Sequence, residues 1–285
     1  MRMLRTVSEL RAALREPRRA GRTIGLVPTM GSFHAGHLSL MRRAREDCDV
    51  VVVSLFVNPT QFDQTADLRR YPRDEANDAL LAADAGADYL FAPPVAEMYP
   101  EGFASTVSLA GITETLEGAH RGRDHFDGVA TVVTKLFNMV QPTTAYFGQK
   151  DAQQALVIQR LVRDLNIPVM IEICPTIREP DGLAMSSRNA LLSPDERARA
   201  LAISRALKTA EAAVAAGEHD AAKVAGVARE ELTADGVEPE YLELVSSRSL
   251  APVRVIDEEV LVVVAARIGA TRLIDNQIMA TNGRT

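Results

Sequence analysis

Short runs rich in β-branched residues alternate with segments of helical apolar spacing between residues 23 and 174. This alternation is typical of a parallel sheet covered by helices on both faces, because parallel strands need long crossover connections. We therefore predict an α/β fold. The predicted strands are 23–27, 50–56, 89–91, 144–147 and 169–173, and the helices between them are 37–47, 74–85, 128–140 and 151–165.

The character of the sequence changes after Pro175. A polar loop is followed by two segments of helical spacing and then by three strand-like runs. Helices followed by a small sheet predict a separate, smaller α+β domain. We therefore divide the chain into domains 1–175 and 176–285. In the second domain the predicted helices are 194–216 and 221–234, and the predicted strands are 240–245, 260–266 and 271–275.

Length and charge exclude several functional classes. A chain of 285 residues, 47% of them hydrophobic, can bury one large or two modest cores. A net charge of −6 offers no broad attraction for nucleic acid, and no apolar run approaches the ~20 residues that a membrane span needs. The first 14 residues read as an amphipathic helix opened by a capping box of Thr6 and Glu9. Because no export signal is visible, we expect a cytoplasmic protein without nucleic-acid or membrane partners.

The cysteines and the remaining histidines offer little chemistry. Cys48 and Cys174 lie in or beside apolar runs, which predicts inert buried thiols. His120, His125 and His219 show no spacing that would supply a third ligand to a metal pair.

Two histidines, His34 and His37, stand between the first predicted strand and a helix. Ligands of parallel α/β sheets bind at the carboxyl ends of strands, where a helix N-terminus offers N–H groups and partial positive charge. Gly31 and Gly36 allow close backbone approach, and two imidazole donors can stabilise charge that develops on a phosphate. A solvated loop and a metal-binding pair are the alternatives.

Two further clusters carry groups that bind phosphate. Lys150 follows the fourth strand, where its ammonium can neutralise triphosphate charge, while Asp151 either caps the next helix or helps to hold Mg²⁺. Ser186, Ser187 and Arg188 open the second domain and resemble a phosphate clamp. Taken alone, each of these residues also fits a solvated surface position.

Uncharged amides follow two of the predicted strands. Asn58 and Gln61 come after the second strand, and Gln154 lies in the helix after the fourth. A close ion pair with arginine would lower the nucleophilicity of a carboxylate that must attack phosphorus, whereas neutral amides can bind the carboxylate without lowering its nucleophilicity. We interpret Gln61 and Gln154 as donors to a small carboxylic acid. For Asn58, a simple turn with Pro59 is the alternative.

The chain resembles the pantothenate synthetase family, one of the HxGH nucleotidyltransferases, in five motifs that keep their order and spacing. They are PTMGSFHAGH at 28–37, VNPTQF at 57–62, DLRRYPRD at 67–74, FGQKDAQQ at 147–154 and MSSRN at 185–189. The resemblance covers essentially the whole chain. It implies a Rossmann-like domain at 1–175, a C-terminal α+β lid domain at 176–285, and a homodimer, for which the apolar second strand is a further argument.

The resemblance implies an ATP-dependent ligase that requires Mg²⁺. ATP and pantoate give pantoyl adenylate and pyrophosphate, and β-alanine then attacks to give pantothenate and AMP. Because water would destroy the adenylate, the loop at 181–189 is predicted to close over it. The alternatives are another HxGH nucleotidyltransferase acting on a small phosphate or carboxylate, and a nucleotide-binding sensor without activity.

The motif positions also imply roles for individual residues. His37 is the proton donor, and His34, Lys150, Ser186, Ser187 and Arg188 complete the catalytic set. Pantoate is bound by Gln61 and Gln154, with Met30 and Asn58 in the same pocket, and Asp151 is the candidate Mg²⁺ ligand. The ATP site comprises Met30, Gly31, Ser32, Phe33, His34, Ala35, Gly36, His37, Gly148, Gln149, Lys150, Asp151, Ile177, Met185, Ser186, Ser187 and Arg188.

Two positions depart from the family pattern. Gln149 stands where a Glu is usual, and Ala152 stands where an aromatic residue is usual. The first change removes a negative charge beside the triphosphate, and the second removes packing at a helix start. Both bear on nucleotide affinity rather than on the chemical groups.

Overall fold

The computed structural model describes residues 1–62 and 65–280, without the side chains of 65–67. The described chain forms two compact units: the first contains Met1–Gln149 and Gln153–Pro175, and the second contains Lys150–Ala152 and the described residues from Thr176 to Ala280. The predicted domain limits stay predictions. Residues 281–285 of the predicted second domain, and the side chain of Asp67 in the third motif, lie outside the described residues.

The first unit is built on a six-stranded parallel sheet, which confirms the predicted α/β fold. Its spatial order is β1-β4-β3-β2-β5-β6. The strands are β1 (Arg2–Leu4), β2 (Ile24–Thr29), β3 (Val50–Leu55), β4 (Tyr89–Phe91), β5 (Thr144–Gly148) and β6 (Met170–Cys174). From β2, the order runs outward in both directions, so the crevice beside β2 is the switch point at which ligands of such sheets bind.

The N-terminal segment differs from the prediction. Residues Arg2–Leu4 form an edge strand rather than helix, because they pair with β4 in parallel register. The helix begins only at α1 (Val7–Ala13), where the predicted capping box of Thr6 and Glu9 is present. The other helices of the unit are α2 (Arg15–Arg19), α3 (Ala35–Asp47), α4 (Thr65–Arg70), α5 (Glu75–Asp84), α6 (Val95–Met98), α7 (Glu117–Arg121), α8 (Arg123–Val140) and α9 (Ala152–Asp164).

Strand β3 shows how the sheet is buried on both faces. Val50 and Val52 belong to one hydrophobic cluster, while Val51 and Val53 belong to another on the opposite face. This is the period-2 alternation of a strand covered on each side by helices. Because β3 lies between β4 and β2, its apolar run is explained by core packing and gives no argument for a homodimer.

The second unit combines two helices with a small antiparallel sheet, as predicted. The helices are α10 (Pro194–Ala215) and α11 (Ala221–Ala234), and the sheet has the order β7-β8-β9 with β7 (Pro239–Ser246), β8 (Val260–Ile268) and β9 (Thr271–Met279). Buried alanines of α10 and valines of β8 share one hydrophobic core. In the described part of the chain, none of the helices has the length and apolar character of a membrane span.

Candidate active site

The turn between β2 and α3 carries the first group of predicted site residues. Gly31 and Ser32 adopt φ values of 88° and 55°, in the left-handed region that glycine tolerates best. The Thr29 hydroxyl donates to the Ser54 carbonyl at 2.6 Å and accepts from the Gly31 N–H at 3.3 Å. The end of β2 is therefore tied to β3, and the chain leaves the sheet in one defined direction.

A buried carboxylate on α5 holds this turn. The two Asp78 oxygens accept hydrogen bonds from the backbone N–H groups of Ser32 at 2.9 Å and Phe33 at 2.7 Å. Asp78 is 1% exposed, and a side chain at Gly31 would meet it, since a Cβ there would lie 2.8 Å from an Asp78 oxygen. Burial raises the pKa of the Asp78 carboxyl, and the two N–H donors oppose that rise. Asp78 is absent from the predicted site residues.

One sequence signal did point to Asp78. It occupies the same helix face as Ala82, four residues later, and both are buried. An acidic residue on the apolar face of an amphipathic helix predicts a buried carboxylate with a defined partner.

The two motif histidines stack at the start of α3. Their ring centroids lie 4.1 Å apart with the planes 35° from parallel, and the Phe33 ring lies 5.6 Å from that of His37. His34 is the N-cap, and its Nδ1 accepts a hydrogen bond from the Gly36 N–H at 3.2 Å. An Nδ1 that accepts carries no proton, so neutral His34 bears its proton on Nε2. The fold thus fixes which nitrogen of His34 is the donor.

Asn58 organises the segment after β3. It is fully buried, and its amide nitrogen donates to the Gln61 side-chain oxygen at 3.0 Å and to the Gly128 carbonyl at 3.1 Å. Its oxygen accepts from the hydroxyl groups of Thr60 and Tyr99. Gln61 therefore has its oxygen turned toward Asn58. The predicted contact of Asn58 with substrate stays a prediction.

Helix α8 packs directly on this segment. A Cβ at Gly128 would lie 2.5 Å from the Thr60 carbonyl oxygen, so the helix can approach only with glycine there. His125, one turn earlier, donates from Nδ1 to the Gln61 carbonyl at 2.8 Å. These contacts hold the 3-10 turn Pro59–Gln61 against α8.

Two neighbouring glutamines on α9 have different environments. Gln153 is buried and donates to the carbonyl groups of Ile112 and Thr115, while its oxygen accepts from the Glu117 N–H. Its amide therefore holds the loop before α7. Gln154 is half-buried, and its predicted contact with pantoate stays a prediction.

Sheet topology bears on whether the first-unit residues converge. Strands β3, β2 and β5 are consecutive and parallel, so the segments that follow Leu55, Thr29 and Gly148 leave from the same edge. The segment after Leu55 carries Asn58 and Gln61, the segment after Thr29 carries the histidine turn, and the segment after Gly148 begins with Gln149.

The remaining predicted residues belong to the second unit. Lys150 Nζ lies 3.3 Å from an Asp151 oxygen, and the Lys150 carbonyl accepts from the Asn276 amide at 2.9 Å. The Met185 N–H donates to the Ile177 carbonyl at 2.9 Å, which closes a hairpin. In the predicted clamp, the Ser186 hydroxyl oxygen accepts from the Arg188 N–H and caps the 3-10 helix Ser187–Leu191. Convergence of these residues with the histidines stays a prediction.

Ion pairs that the sequence interpretation missed anchor the predicted loop at 181–189. Arg178 forms a two-pronged pair with Asp275, whose side chain is 2% exposed. Arg197 pairs with both Glu179 and Asp181, and these contacts lower the pKa of the Glu179 carboxyl. Within the second unit, the base of the loop is therefore held by long-range charge pairs that no local pattern reveals.

The described residues contain no group of three or more His, Cys, Asp or Glu side chains arranged to hold a metal. Mg²⁺ commonly binds through substrate phosphates and one or two carboxylates rather than through an all-protein cage. Asp151, with its side chain 50% exposed, fits that donor set.

The comparison with protein families decides the assignment. A model described as pantoate-beta-alanine ligase matches residues 2–278. The chain belongs to this family. It is 52% identical over 280 residues to the pantothenate synthetase of Heliobacterium modesticaldum, covering 98% of this chain and 99% of that protein.

Solved structures of the pantoate-beta-alanine ligase family agree with this fold. The pantothenate synthetase of Thermus thermophilus matches with a TM-score of 0.92 at 48% identity, covering 97% of this chain and 99% of that one. The pantoate-beta-alanine ligase of Francisella tularensis, complexed with beta-gamma ATP and β-alanine, matches with a TM-score of 0.80 at 33% identity, covering 98% and 97%. Membership confirms the predicted enzyme class, and the alternative of another HxGH nucleotidyltransferase is not favoured.

Proposed function

We propose that this chain joins pantoate to β-alanine at the expense of ATP, through a pantoyl adenylate. The observation that carries the proposal is the histidine pair at the N-terminus of α3. The two rings lie 4.1 Å apart, and His34 bears its proton on Nε2 because its Nδ1 accepts from the Gly36 N–H. An imidazole N–H donor beside a helix N-terminus suits a phosphate that gains charge.

In the first step, the pantoate carboxylate attacks the α-phosphorus of ATP and pyrophosphate leaves. His34 and His37 stabilise the charge that moves onto the phosphate oxygens, with His37 donating a proton to the departing group. In the second step, the amine of β-alanine attacks the acyl carbon, AMP leaves with the electron pair of the broken bond, and the amine loses a proton. Both steps depend on fixed geometry, which can remove about 7–11 kcal/mol of a barrier in favourable cases.

The Asn58 contact supports the role of Gln61 as a donor to the acid. Because the Gln61 oxygen accepts from Asn58 at 3.0 Å, its NH₂ group is the end available for other partners. Two N–H donors without charge can hold a carboxylate or hydroxyl while leaving its nucleophilicity intact. Gln154 would bind the same acid from α9.

Residues of the second unit would bind the nucleotide. Lys150 and Arg188 supply positive charge, and Ser186 and Ser187 supply hydroxyl donors for the triphosphate. The nucleotide and β-alanine in the Francisella tularensis relative support these substrate classes. Asp151 would hold Mg²⁺ that arrives with ATP, and the ion would neutralise phosphate charge.

The proposal includes a cytoplasmic homodimer. The family resemblance supports the dimer, and the free, buried Cys48 and Cys174 agree with a reducing compartment. Size-exclusion chromatography with light scattering measures the mass of the assembly directly.

The reaction is tested by pantoate-dependent exchange between ATP and pyrophosphate, together with mass-spectrometric detection of pantothenate. The wild-type protein should show both. His37→Ala should lose about two or more orders of magnitude in exchange rate, because a donor to developing charge is removed. His120→Ala, at an exposed position on α7, is the matched control and should keep its rate.

The outcomes separate the rival functions. Exchange without pantothenate formation would indicate a nucleotidyltransferase that stops at the first step. ATP binding without any exchange would indicate a sensor. Wild-type exchange kinetics in His37→Ala would refute the catalytic assignment of that residue.

A further inference from the structure

A cavity of about 410 Å³ lies between α1, α2 and the end of α8, and none of the motif residues lines it. Four of its lining residues are arginines, and the other two are Met139 and Gln141. The arginines are Arg11, Arg15, Arg18 and Arg19. The volume falls in the range of small-molecule sites, roughly 300–1,000 Å³.

No acidic residue of the cavity lining offsets the charge of these arginines, although Glu16 lies beside Arg15 on α2. Arg5, Arg43 and Arg45 of the same unit each pair with a carboxylate. The four cavity arginines form no ion pair with any described residue, and none of the described residues that line the cavity is acidic. The chain carries a net charge of −6, yet the described residues that line this cavity include four arginines and no carboxylate.

Helix geometry places three of the guanidinium groups in a row. Arg11, Arg15 and Arg19 are spaced four residues apart along α1 and α2, which are joined by Leu14 in helical conformation. Arg15 and Arg19 therefore lie on one face of α2, and Arg11, at the same spacing across the Leu14 junction, lines the same cavity. Like charges at i and i+4 destabilise a helix, so the row gains stability when an anion neutralises it.

Arg18 completes the site from a fixed position. Its Nη2 donates to the Val140 carbonyl at 2.6 Å, at the C-terminus of α8. Its Nε is buried and has no hydrogen-bond partner among the described residues, so a donor remains for a ligand or water. Burial, and secondarily the charge of Arg11, lower the pKa of the Arg18 guanidinium. Guanidinium groups match the oxygens of phosphate bidentately.

We propose that this arginine cavity binds a small molecule that carries two or more linked phosphates. Linked phosphates can contact more of the arginine row than a single anion can. Met139, 8% exposed, and the exposed Gln141 offer an apolar contact and an amide to the remainder of such a ligand. The site is separate from the proposed reaction and does not depend on it.

Methyl NMR with [methyl-¹³C]methionine tests the proposal, with sodium tripolyphosphate as the probe. Met139 reports on the arginine cavity, and Met30 reports on the histidine turn, so the two sites are observed separately in one titration. Met139→Leu assigns its resonance. The Met139 methyl should shift in a saturable manner, and Arg15→Gln/Arg19→Gln should weaken that binding by at least about tenfold.

The controls distinguish a built site from general charge. The double variant Arg15→Gln/Arg19→Gln, called the pair variant, should leave the Met30 titration and the ATP/pyrophosphate exchange rate unchanged. An unchanged exchange rate also shows that this variant folds. Arg229→Gln/Arg254→Gln, at exposed positions in the second unit, should leave the Met139 titration unchanged. A Met139 resonance that does not move, that moves equally with KCl of matched ionic strength, or that titrates normally in the pair variant would overturn the proposal. Equal affinity for sulfate would overturn the assignment to linked phosphates.

Discussion

Replacing Asp78 should change stability and catalysis together, because its carboxylate holds the turn that carries the histidines. In Asp78→Asn, one oxygen becomes an NH₂ group that faces a backbone N–H, so one of the two bonds to Ser32 and Phe33 is lost. Leaving a buried N–H without an acceptor costs about 1–3 kcal/mol. Removing a desolvated charge offsets part of this, so we expect a loss near the lower end, about 1–2 kcal/mol. Asp78→Ala leaves both N–H groups unsatisfied and should cost about 2–5 kcal/mol.

The catalytic effect should exceed what the stability loss explains. A turn displaced by about 1 Å can lower a rate by about a hundredfold, even when the residue does not touch substrate. Urea denaturation gives the free energy of unfolding, and ATP/pyrophosphate exchange at saturating substrate gives the rate. Asp74→Ala is the matched control, since this exposed residue caps the same helix through the Asn77 N–H. It should lose about 1 kcal/mol of stability without a comparable loss of rate.

The pH dependence gives an independent check on Asp78. Its pKa is raised in the folded protein from an ordinary 3.8, so the folded state binds the proton more tightly than the unfolded state does. The contribution of the protonated Asp78 carboxyl to the free energy of unfolding is fully present below the pKa of the unfolded chain and is lost as pH rises through the pKa of the folded protein. The stability deficit of Asp78→Asn relative to wild type should therefore shrink from about pH 4 upward. An exchange rate and pH dependence identical to wild type would refute the reasoning.

Three further predictions concern packing, charge and thiol chemistry. Gly128→Ala should lower the free energy of unfolding, measured by urea denaturation, by several kcal/mol and should slow the exchange reaction, because its methyl group would lie 2.5 Å from a backbone oxygen. The control Gly226→Ala, in open space on α11, should raise the free energy of unfolding by about 0.5–1 kcal/mol. Arg178→Ala should cost about 3–5 kcal/mol by leaving Asp275 charged and buried, and Arg178→Ala/Asp275→Ala should recover part of that loss. Burial raises the pKa of the Cys174 thiol to about 11, so it should resist Ellman's reagent at pH 8 until urea unfolds the protein.

Much of the fold was predictable from the sequence because its strands are strong local patterns. Five of the six strands in the first sheet are short runs rich in β-branched or aromatic residues, and these were located. The exception, β1, contains only Arg2, Met3 and Leu4, which have no strand pattern of their own. It becomes a strand through pairing with β4, in which each partner lies 87 positions later in the chain (Arg2 with Tyr89), and a local pattern carries no such information.

Some residues of the candidate site can be predicted from local sequence motifs, whereas others depend on contacts between distant parts of the chain. The motifs name residues that follow strand ends, whereas Asp78, Gly128 and Gln153 act on loops 40–70 residues away in the chain. Each of them satisfies backbone groups or admits a close contact, and neither property produces a periodic pattern. Helix periodicity marks Asp78 as a buried carboxylate but does not name its partners, and Gly128 and Gln153 could only be found after the fold had placed them beside the motifs.

The Asn58 contacts show why this distinction matters for assigning function. The sequence offered a substrate contact or a simple turn, but the amide binds both the Gln61 side chain and the Gly128 carbonyl. Its nitrogen has two hydrogens, and both are used inside the protein. If Gln61 binds the acid, then Asn58 determines which end of the Gln61 amide faces it. A residue in a functional motif can thus act on the reaction by orienting its neighbour, and Asn58→Asp, which replaces those donors by oxygen, should weaken binding of the acid more than binding of ATP.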